Sequence, residues 1–353
     1  MNRYMRPGVS GKKISTRKLG AVVGVAALAI GLSACSSDKA TQAGPSGGSG
    51  AIEDFTVMTS NNGVQWAPIA AMAKDGVAAK HGLNVKLQVF QNGSGNSSLI
   101  FTGGTGDVLM GGMDAPVNFV LKDAVNVTVV GAIEKANPFV LVAKAGSPYS
   151  TVGSLKGQTV GVSGAGSFSD YSVRYLLSQN NMTAADIKTA AIGAGPAQVA
   201  ALTGGSAAGA MLQSPAFEQQ QSLGAIQVVH NFRKDGPMPA IVAIARTDEV
   251  QKEGAKFTKF LAAWTEELSK MAADSAYALS AAKAYLGAGV TEADIKIQLD
   301  AFLNGIWSTD GAFTQELYDA GKSLLVGSGA FKESTFPAYA DLTKGAPAAS
   351  TKG

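Results

Sequence analysis

Small polar residues follow the β-branched runs of this sequence, and their side chains are well suited to bind a small molecule. Glycine lets a ligand approach the backbone closely, while Ser, Asn and Gln form hydrogen bonds without the cost of burying a charge. Six such clusters occur where predicted strands give way to predicted helices, and together they predict a ligand cleft. Each cluster alone is also explained as a helix cap. The residues expected to contact the ligand are Asn61, Asn62, Trp66, Ser94, Gly112, Met113 and Asp114, then Gly164, Gly166, Ser167, Ser169 and Gln213.

Two of these residues have alternative interpretations. Asp114 either pairs with an amine of the ligand or caps a helix that starts at Ala115. Trp66 either stacks on the ligand or packs against the first turn of a helix that begins at Pro68. Asp170 is a weaker counterpart of Asp114 in the second half of the chain. Neither carboxylate has a predicted basic partner, since Arg174 is expected on the surface.

The residue types needed for covalent or metal chemistry are scarce. The chain has only two histidines, His81 and His230, and one cysteine, Cys35. A nucleophile-elbow pattern at 44–48 follows no predicted strand, and a Gly-Lys-Ser run at 321–323 lacks the glycine that opens a phosphate-binding loop. We therefore expect a binding protein and no enzyme, with no catalytic residue, no metal and no cofactor.

Composition and charge restrict the class further. The chain has 353 residues, of which 46% are hydrophobic and 16% charged, which is typical of a globular protein. Its net charge is +3, but six Lys and Arg residues precede residue 19, and without them the balance is −3. A mildly acidic body has no electrostatic footprint for nucleic acid, so no nucleic-acid partner is expected.

The amino terminus has the pattern of a secretory signal. Its basic residues are followed by an apolar run at 19–32, which is too short to span a membrane. The run ends in Leu32-Ser33-Ala34-Cys35, which resembles the bacterial lipobox, so we predict a signal peptide over 1–34 and a lipid on Cys35. A Gly- and Ser-rich tether over 35–50 then holds the protein at the outer face of the cell membrane. The alternative is an ordinary signal with cleavage after Ala34 and an unmodified cysteine.

The remaining chain alternates strands with helices, which predicts an α/β fold. Thr102-Gly103-Gly104 and Thr203-Gly204-Gly205 precede similar segments 101 residues apart, which indicates two similar lobes, although chance similarity of Gly-rich turns also explains the match. The predicted strands are 55–58, 85–90, 108–110, 127–132, 138–143, 159–162, 188–192, 210–212, 226–230 and 240–244.

Two crossings between the lobes are expected, near 139–144 and 232–239, and such a pair forms the hinge of a closing clamp. Lobe I is predicted to contain residues 51–140 and 238–342, and lobe II residues 141–237, followed by a flexible tail at 343–353. A C-terminal helical segment belongs to lobe I, with helices expected at 256–273, 276–286, 292–303, 313–325 and 335–342.

Three segments resemble a known family: Gly-Gly-Met-Asp-Ala-Pro at 111–116, Val-Gly-Ser-Leu-Lys-Gly-Gln-Thr-Val-Gly-Val at 152–162 and the loop through Ser169. They are similar to the extracytoplasmic solute-binding lipoproteins of bacterial ABC importers, in the branch that binds nitrate, sulfonates, taurine and thiamine precursors. The resemblance implies a periplasmic binding protein-like fold of type 2 and an ABC permease with its ATPase as partner. Enzymes of this branch carry a cysteine-rich motif, which this chain lacks.

The expected function is capture of a small organic solute between the lobes by a monomeric binding protein. A sulfonate, taurine or nitrate-like anion is the first expectation, because backbone N–H groups around Gly164 to Ser169 are positioned to hold it. The alternative is a neutral heterocycle, such as a thiamine pyrimidine precursor, stacked on Trp66. A secreted enzyme and a structural surface lipoprotein are the alternatives of another class.

Overall fold

Ten strands form two five-stranded sheets in this computed structural model, which describes residues 51–59, 62–90, 98 and 100–348. Every segment predicted as a strand is one. The first sheet has the order β2-β1-β3-β10-β4, and the second has the order β7-β6-β8-β5-β9. The first contains β1 (Glu53–Thr59), β2 (Leu83–Val89), β3 (Val108–Gly112), β4 (Val127–Glu134) and β10 (Ile241–Arg246); the second contains β5 (Val140–Lys144), β6 (Thr159–Val162), β7 (Lys188–Ala191), β8 (Gly209–Leu212) and β9 (Ile226–Asn231).

The two sheets have the same topology. In each, three strands run parallel and the strand next to the edge is antiparallel to its neighbours, β10 in the first sheet and β5 in the second. Strand β8 begins 101 residues after β3, the separation of the two Thr-Gly-Gly turns. We call the first sheet with its helices lobe I and the second lobe II. The expected fold of two similar α/β lobes is confirmed.

Helices cover both sheets, because their apolar faces need a partner surface. Lobe I carries α1 (Ala67–Met72), α2 (Val77–Lys80) and α3 (Asp114–Leu121), and lobe II carries α4 (Phe168–Gln179), α5 (Pro196–Thr203) and α6 (Ala216–Ser222). The C-terminal segment contains α7 (Thr247–Ala273), α8 (Ser275–Leu286), α9 (Glu292–Ala301), α10 (Gln315–Gly327) and α11 (Tyr339–Leu342). Within the described residues, no helix has the length and apolar content needed to cross a membrane.

The helix expected at 335–342 is wrong in extent. A 3-10 turn occupies Glu333–Thr335 and only Tyr339–Leu342 is α-helical. Pro337 lies between them, and proline removes a backbone donor and disfavours helical geometry in the residue before it. The four other helices expected in this segment are present.

The lobe I core depends on aromatic packing against β1. The ring of Phe55 stacks on Phe260 of α7 at a centroid distance of 4.8 Å, and the edge of Phe257 meets it at 5.8 Å. Trp264 and Trp307 extend the same core, and all five rings are at most 1% exposed. This packing fixes α7 across the sheet, so the C-terminal ends of β1 and β3 are held in a rigid layer.

Two short crossings connect the lobes, at residues 135–139 and 232–240. The first lies earlier than expected, because Val140 already pairs with Leu212 in the second sheet. The crossings are hydrogen-bonded to each other, since the Met238 N–H donates to the carbonyl of Lys135 (2.8 Å) and the Ala240 N–H donates to that of Glu134 (3.1 Å). The two crossings are therefore joined to each other by backbone hydrogen bonds.

Asn137 ties the first crossing to lobe II. Its side chain is fully buried, donates to the Ser172 hydroxyl of α4 (2.9 Å) and accepts from the Phe139 N–H (3.1 Å). A buried donor or acceptor left without its partner costs about 1–3 kcal/mol. The amide of Asn137 therefore contributes to the stability of the hinge.

We expect Asn137→Ala to lower the free energy of unfolding by about 2 kcal/mol, because it leaves the Phe139 N–H and the Ser172 hydroxyl without this partner. Denaturant unfolding of the purified protein measures the change. Asn126→Ala is the control, because Asn126 is exposed and its side chain forms no hydrogen bond with a described residue. Equal stability of the two variants would contradict the role given to Asn137.

A carboxyl group is buried where α7 meets α8. Glu267 is fully buried, its Oε1 accepts from the Tyr277 hydroxyl (2.7 Å), and its Oε2 has no hydrogen-bond partner. Desolvation raises the pKa of Glu267 from 4.5 to about 7, and the neighbouring charge of Asp75 adds to the increase. The folded protein thus binds this proton more tightly than the unfolded chain does.

The raised pKa has a defined consequence for stability. The stabilisation is fully present below pH 4.5 and is lost as pH rises through about 7, by about 3 kcal/mol in total. Glu267→Gln should remove this loss, because glutamine keeps an oxygen for Tyr277 and does not titrate. Denaturant unfolding of both proteins from pH 4 to pH 8 tests this; parallel pH profiles would rule out the shift.

Candidate functional site

A loop of small residues connects β6 to α4 in lobe II. Three hydroxyl groups meet there: Ser169 lies 2.8 Å from Ser163 and 2.9 Å from Ser167, and Ser163 lies 3.1 Å from Ser167. Ser167 is the N-cap of α4, because its hydroxyl accepts from the Asp170 N–H (3.3 Å). Ser169 is fully buried and accepts from the Ser163 N–H (3.0 Å). The hydroxyls of Ser167 and Ser169 thus hold the loop together.

Asp170 occupies the N-terminal end of α4. Its carboxylate is fully buried, accepts from the Gly166 N–H (2.9 Å) and forms a two-point ion pair with Arg174 (2.9 and 3.1 Å). The expectation that Asp170 lacks a basic partner is therefore wrong. The two residues lie four positions apart in one helix, which places their side chains on the same face. The four-residue spacing in the sequence could therefore have predicted Arg174 as the partner of Asp170.

Asp114 begins α3 at the corresponding position of lobe I. A side chain at Gly112 would place its Cβ 2.5 Å from the Asp114 Oδ1, so only glycine leaves room for this carboxylate. Asn118 donates to the Asp114 carbonyl (3.0 Å) and approaches its carboxylate (3.4 Å). Burial raises the pKa of Asp114 from 3.8 to about 6, against the opposing effects of a backbone hydrogen bond, Asn118 and Lys122. No described Lys or Arg forms a salt bridge with Asp114.

Tyr171 lies near the turns of both lobes. It lies on α4 of lobe II, and its pKa is raised by burial, by the charge of Asp114 in lobe I and by that of Asp170. Its hydroxyl is 3.5 Å from where a Cβ on Gly166 would lie, and its ring meets Phe331 edge-on at 5.8 Å. Asp114 of the lobe I turn and Tyr171, which follows the lobe II loop at 164–169, therefore lie close enough for their charges to interact. Sequence reasoning missed Tyr171, although it is one turn into the helix after the Gly-Ser loop.

Helix α10 packs against both lobes near these turns. A Cβ on Gly321 would lie 2.9 Å from Met113 of lobe I and 3.2 Å from Pro239 of the second crossing. A Cβ on Gly327 would lie 2.8 Å from Tyr175 of lobe II. The small residues let α10 pack on both lobes and on the hinge. Met113 is fully buried, and its expected contact with a ligand stays a prediction.

The other predicted contacts have different surroundings. Trp66 is 1% exposed within the lobe I core, which favours its packing role over stacking on a ligand. Asn62 is exposed, while Gln213, Gly112 and Gly164 are partly exposed. Gly166 is exposed and has a φ of +68°, where glycine is favoured. Asn61, Ser94 and Cys35 lie outside the described residues.

A second set of contacts joins the lobes near the hinge. Arg233 of the second crossing donates to the carbonyl of Pro138 in the first (2.9 Å) and pairs with Glu218 of α6 (2.5 Å). Gln219 of α6 donates to Asp294 of α9, so lobe II touches the C-terminal helices. A pocket of about 460 Å³ lies beside these contacts, lined by residues of both lobes and of both crossings. The lobes are therefore held in contact on this side as well.

A scan of family models matches residues 65–278 to the family described as "NMT1/THI5 like". The chain belongs to the NMT1/THI5-like family. This match confirms the resemblance seen in the sequence. No curated protein matches the sequence significantly.

Solved structures similar to this NMT1/THI5-like protein show the fold. The periplasmic aliphatic sulphonate-binding protein SsuA of Escherichia coli has a TM-score of 0.66 at 18% identity, over 82% of this chain and 96% of that one. The alkanesulfonate-binding SsuA of Xanthomonas axonopodis pv. citri, solved with MOPS, has a TM-score of 0.62 at 13% identity, over 82% and 96%. A Candida albicans protein with the generic periplasmic binding protein fold has 0.63 at 14% identity, over 85% and 96%.

The described part of this NMT1/THI5-like chain contains no group of three or more His, Cys, Asp or Glu residues placed to hold a metal ion. The polar groups that do converge are hydroxyls, backbone N–H groups and carboxylates. Such groups are able to form hydrogen bonds and ion pairs with a small molecule.

The proximity of Asp114 to Tyr171 is directly testable. Asp114→Asn should lower the pKa of Tyr171, because removing a nearby negative charge favours the phenolate. NMR titration of ring-labelled tyrosines measures the pKa, with Tyr171→Phe assigning the resonance. Asp123→Asn is the matched control, since Asp123 is exposed and its φ of +47° suits asparagine. An unchanged Tyr171 pKa in Asp114→Asn would show that the two turns do not face each other in solution.

Proposed function

We propose that this protein is the solute-binding component of an ABC importer, which captures a small organic solute between its lobes and delivers it to a membrane permease. The observation that carries the proposal is the packing of α10 on Met113 of the lobe I turn, on Pro239 of the hinge and on Tyr175 of lobe II. It agrees with the charge interaction between Asp114 and Tyr171 across a two-stranded hinge. Both turns lie at the C-terminal ends of strands, where ligands bind in open α/β sheets. The family and fold support the same function.

Capture works through closure of the lobes. A solute bound to one lobe gains contacts from the other when the lobes close, so its affinity for the closed state exceeds that for the open state. The paired crossings confine this motion to residues 135–139 and 232–240, and the permease reads the closed form. The converging groups include no nucleophile with a partnering base, so we infer binding without catalysis.

Anchoring and solute class complete the proposal. A lipid on Cys35 with the 35–50 tether holds a monomer at the outer face of the membrane, where a permease and its ATPase receive the solute. Support for a sulfonate-like solute comes from the sulphonate-binding proteins that share the fold. A neutral heterocycle is the alternative, and its proposed stacking partner Trp66 is buried.

The direct test is to identify the solute. Protein purified under native conditions is denatured, the released small molecules are identified by mass spectrometry, and their affinity is measured by calorimetry. Solution scattering of the emptied protein with and without that molecule should show a smaller radius of gyration on binding. A protein that releases nothing and shows no compaction with any tested solute would contradict the function.

The contact between Gln219 and Asp294 offers a test of closure. We expect Gln219→Ala to weaken solute binding about five-fold, since one hydrogen bond that holds the lobes together contributes about 1 kcal/mol. Gln220→Ala is the control, because Gln220 is the next residue and its side chain forms no hydrogen bond with a described residue. Equal affinities of the two variants would show that this contact does not stabilise the closed state.

A further inference from the structure

Two carboxyl groups without a cation lie at the hinge-facing edge of lobe I. Ile241 of β10 is paired with Gly112 on one side and with Glu134 on the other, so the ends of β3 and β4 are about 10 Å apart. Asp114 follows Gly112 by two residues, and Glu134 ends β4. Glu134 is 4% exposed, and its carboxyl has neither a hydrogen-bond partner nor an ion pair among the described residues.

Several other buried or partly buried acids have cations: Asp107 pairs with Lys256, Asp170 with Arg174 and Glu218 with Arg233. Glu267 and Asp294 have none, but they accept from Tyr277 and Gln219. Asp114 and Glu134 also lack a cation, and they lie at one edge of one sheet. The undescribed stretches 60–61 and 91–97 contain no charged residue in the sequence, so they supply no missing cation.

The electrostatics agree with this geometry. Burial alone raises the pKa of Glu134 from 4.5 to about 8, and burial is the largest cause of the raised pKa of Asp114. A carboxylate held away from water without a partner is costly, and an arriving cation removes that cost.

The opposite wall is poorly suited to an anion. At the N-terminal end of α4, the Gly166 N–H already donates to Asp170, and the Asp170 N–H to Ser167. The Ser163 N–H donates to Ser169. The Gly166 N–H, one of the donors expected to hold a sulfonate, is thus already used by Asp170, whose charge is balanced by Arg174. An anionic headgroup would meet the carboxylate of Asp114 on lobe I, and on lobe II it would meet N–H groups that already donate to side chains.

Aromatic rings lie near Asp114. The charge of Asp114 contributes to the raised pKa of Tyr171 in lobe II, and Phe331 packs edge-on against the Tyr171 ring at 5.8 Å. A carboxylate with aromatic rings nearby attracts ammonium and amidinium groups, through the ion pair and through the cation–π interaction.

We propose that the solute is an organic cation, whose protonated amine or amidine donates to the Asp114 carboxylate between the lobes and packs against Tyr171. This inference rests on the proposed function and specifies its solute class. A cationic solute replaces the sulfonate or nitrate-like solute expected from the sequence, because backbone N–H groups at this loop already donate to side chains.

Two probe sets test the charge of the solute. The cations are putrescine and agmatine; the anions are ethanesulfonate, butanesulfonate and nitrate. Calorimetry on the emptied protein measures which probes bind, and mass spectrometry identifies the solute that co-purifies and hence its charge. A cation that binds, or a co-purified cation, supports the proposal. Binding of ethanesulfonate, butanesulfonate or nitrate, or an anionic co-purified solute, overturns it and leaves the proposed function intact.

The matched variants assign the contact. Asp114→Asn should weaken binding of the cation about ten-fold or more, because it removes the charge and keeps the shape. Asp123→Asn removes the same charge from an exposed position and should leave affinity unchanged. Equal affinities of the two variants overturn the role of Asp114. A protein that releases no solute, binds neither probe set and shows no compaction contradicts the proposed function together with this inference.

Discussion

Each lobe of this protein depends on one strand that reaches it from the other lobe. Strand β5 enters the second sheet directly after β4 of the first, and β10 returns to the first sheet directly after β9 of the second. Both are antiparallel strands that pair with a neighbour on each side, so neither sheet is continuous without them. The hydrogen bonds of these strands anchor both crossings in rigid layers. The hinge is consequently short, and its two strands are paired with each other.

This exchange also decides where the site lies. Because β10 runs opposite to β3 and β4, its first residue lies beside the ends of both, and Gly112 and Glu134 flank Ile241. The second crossing enters at the same edge, and α10 packs on Pro239 and Met113 there. The hinge, the lobe I carboxyl groups and the helix that touches both lobes therefore share one edge of one sheet. Under the proposed function, a ligand held there would contact the elements at which the lobes close.

The likeness to sulphonate-binding proteins concerns architecture. Two lobes, two crossings and loops at strand ends recur across proteins that bind different solutes, because the fold provides a closing cleft and the side chains provide the chemistry. In this protein the chemistry at the cleft is acidic on lobe I and internally capped on lobe II. The solute class therefore has to be argued from Asp114, Asp170 and Tyr171, and the fold alone is not sufficient.

The sequence by itself determined the ten strands, the duplication and four of the five C-terminal helices, because these follow from local periodicity and turn residues. It also located the turns at 111–115 and 164–169. The tertiary structure decided which side chains in those turns are available to a solute. Three residues lie beside polar loops in the sequence but are buried in the fold: Met113, Trp66 and Ser169. Helix α10 packs over Met113, α9 over Trp66 and the serine cluster over Ser169. The proximity of Asp114 to Tyr171 joins positions 57 residues apart, and no local pattern encodes a distance that depends on how two lobes meet.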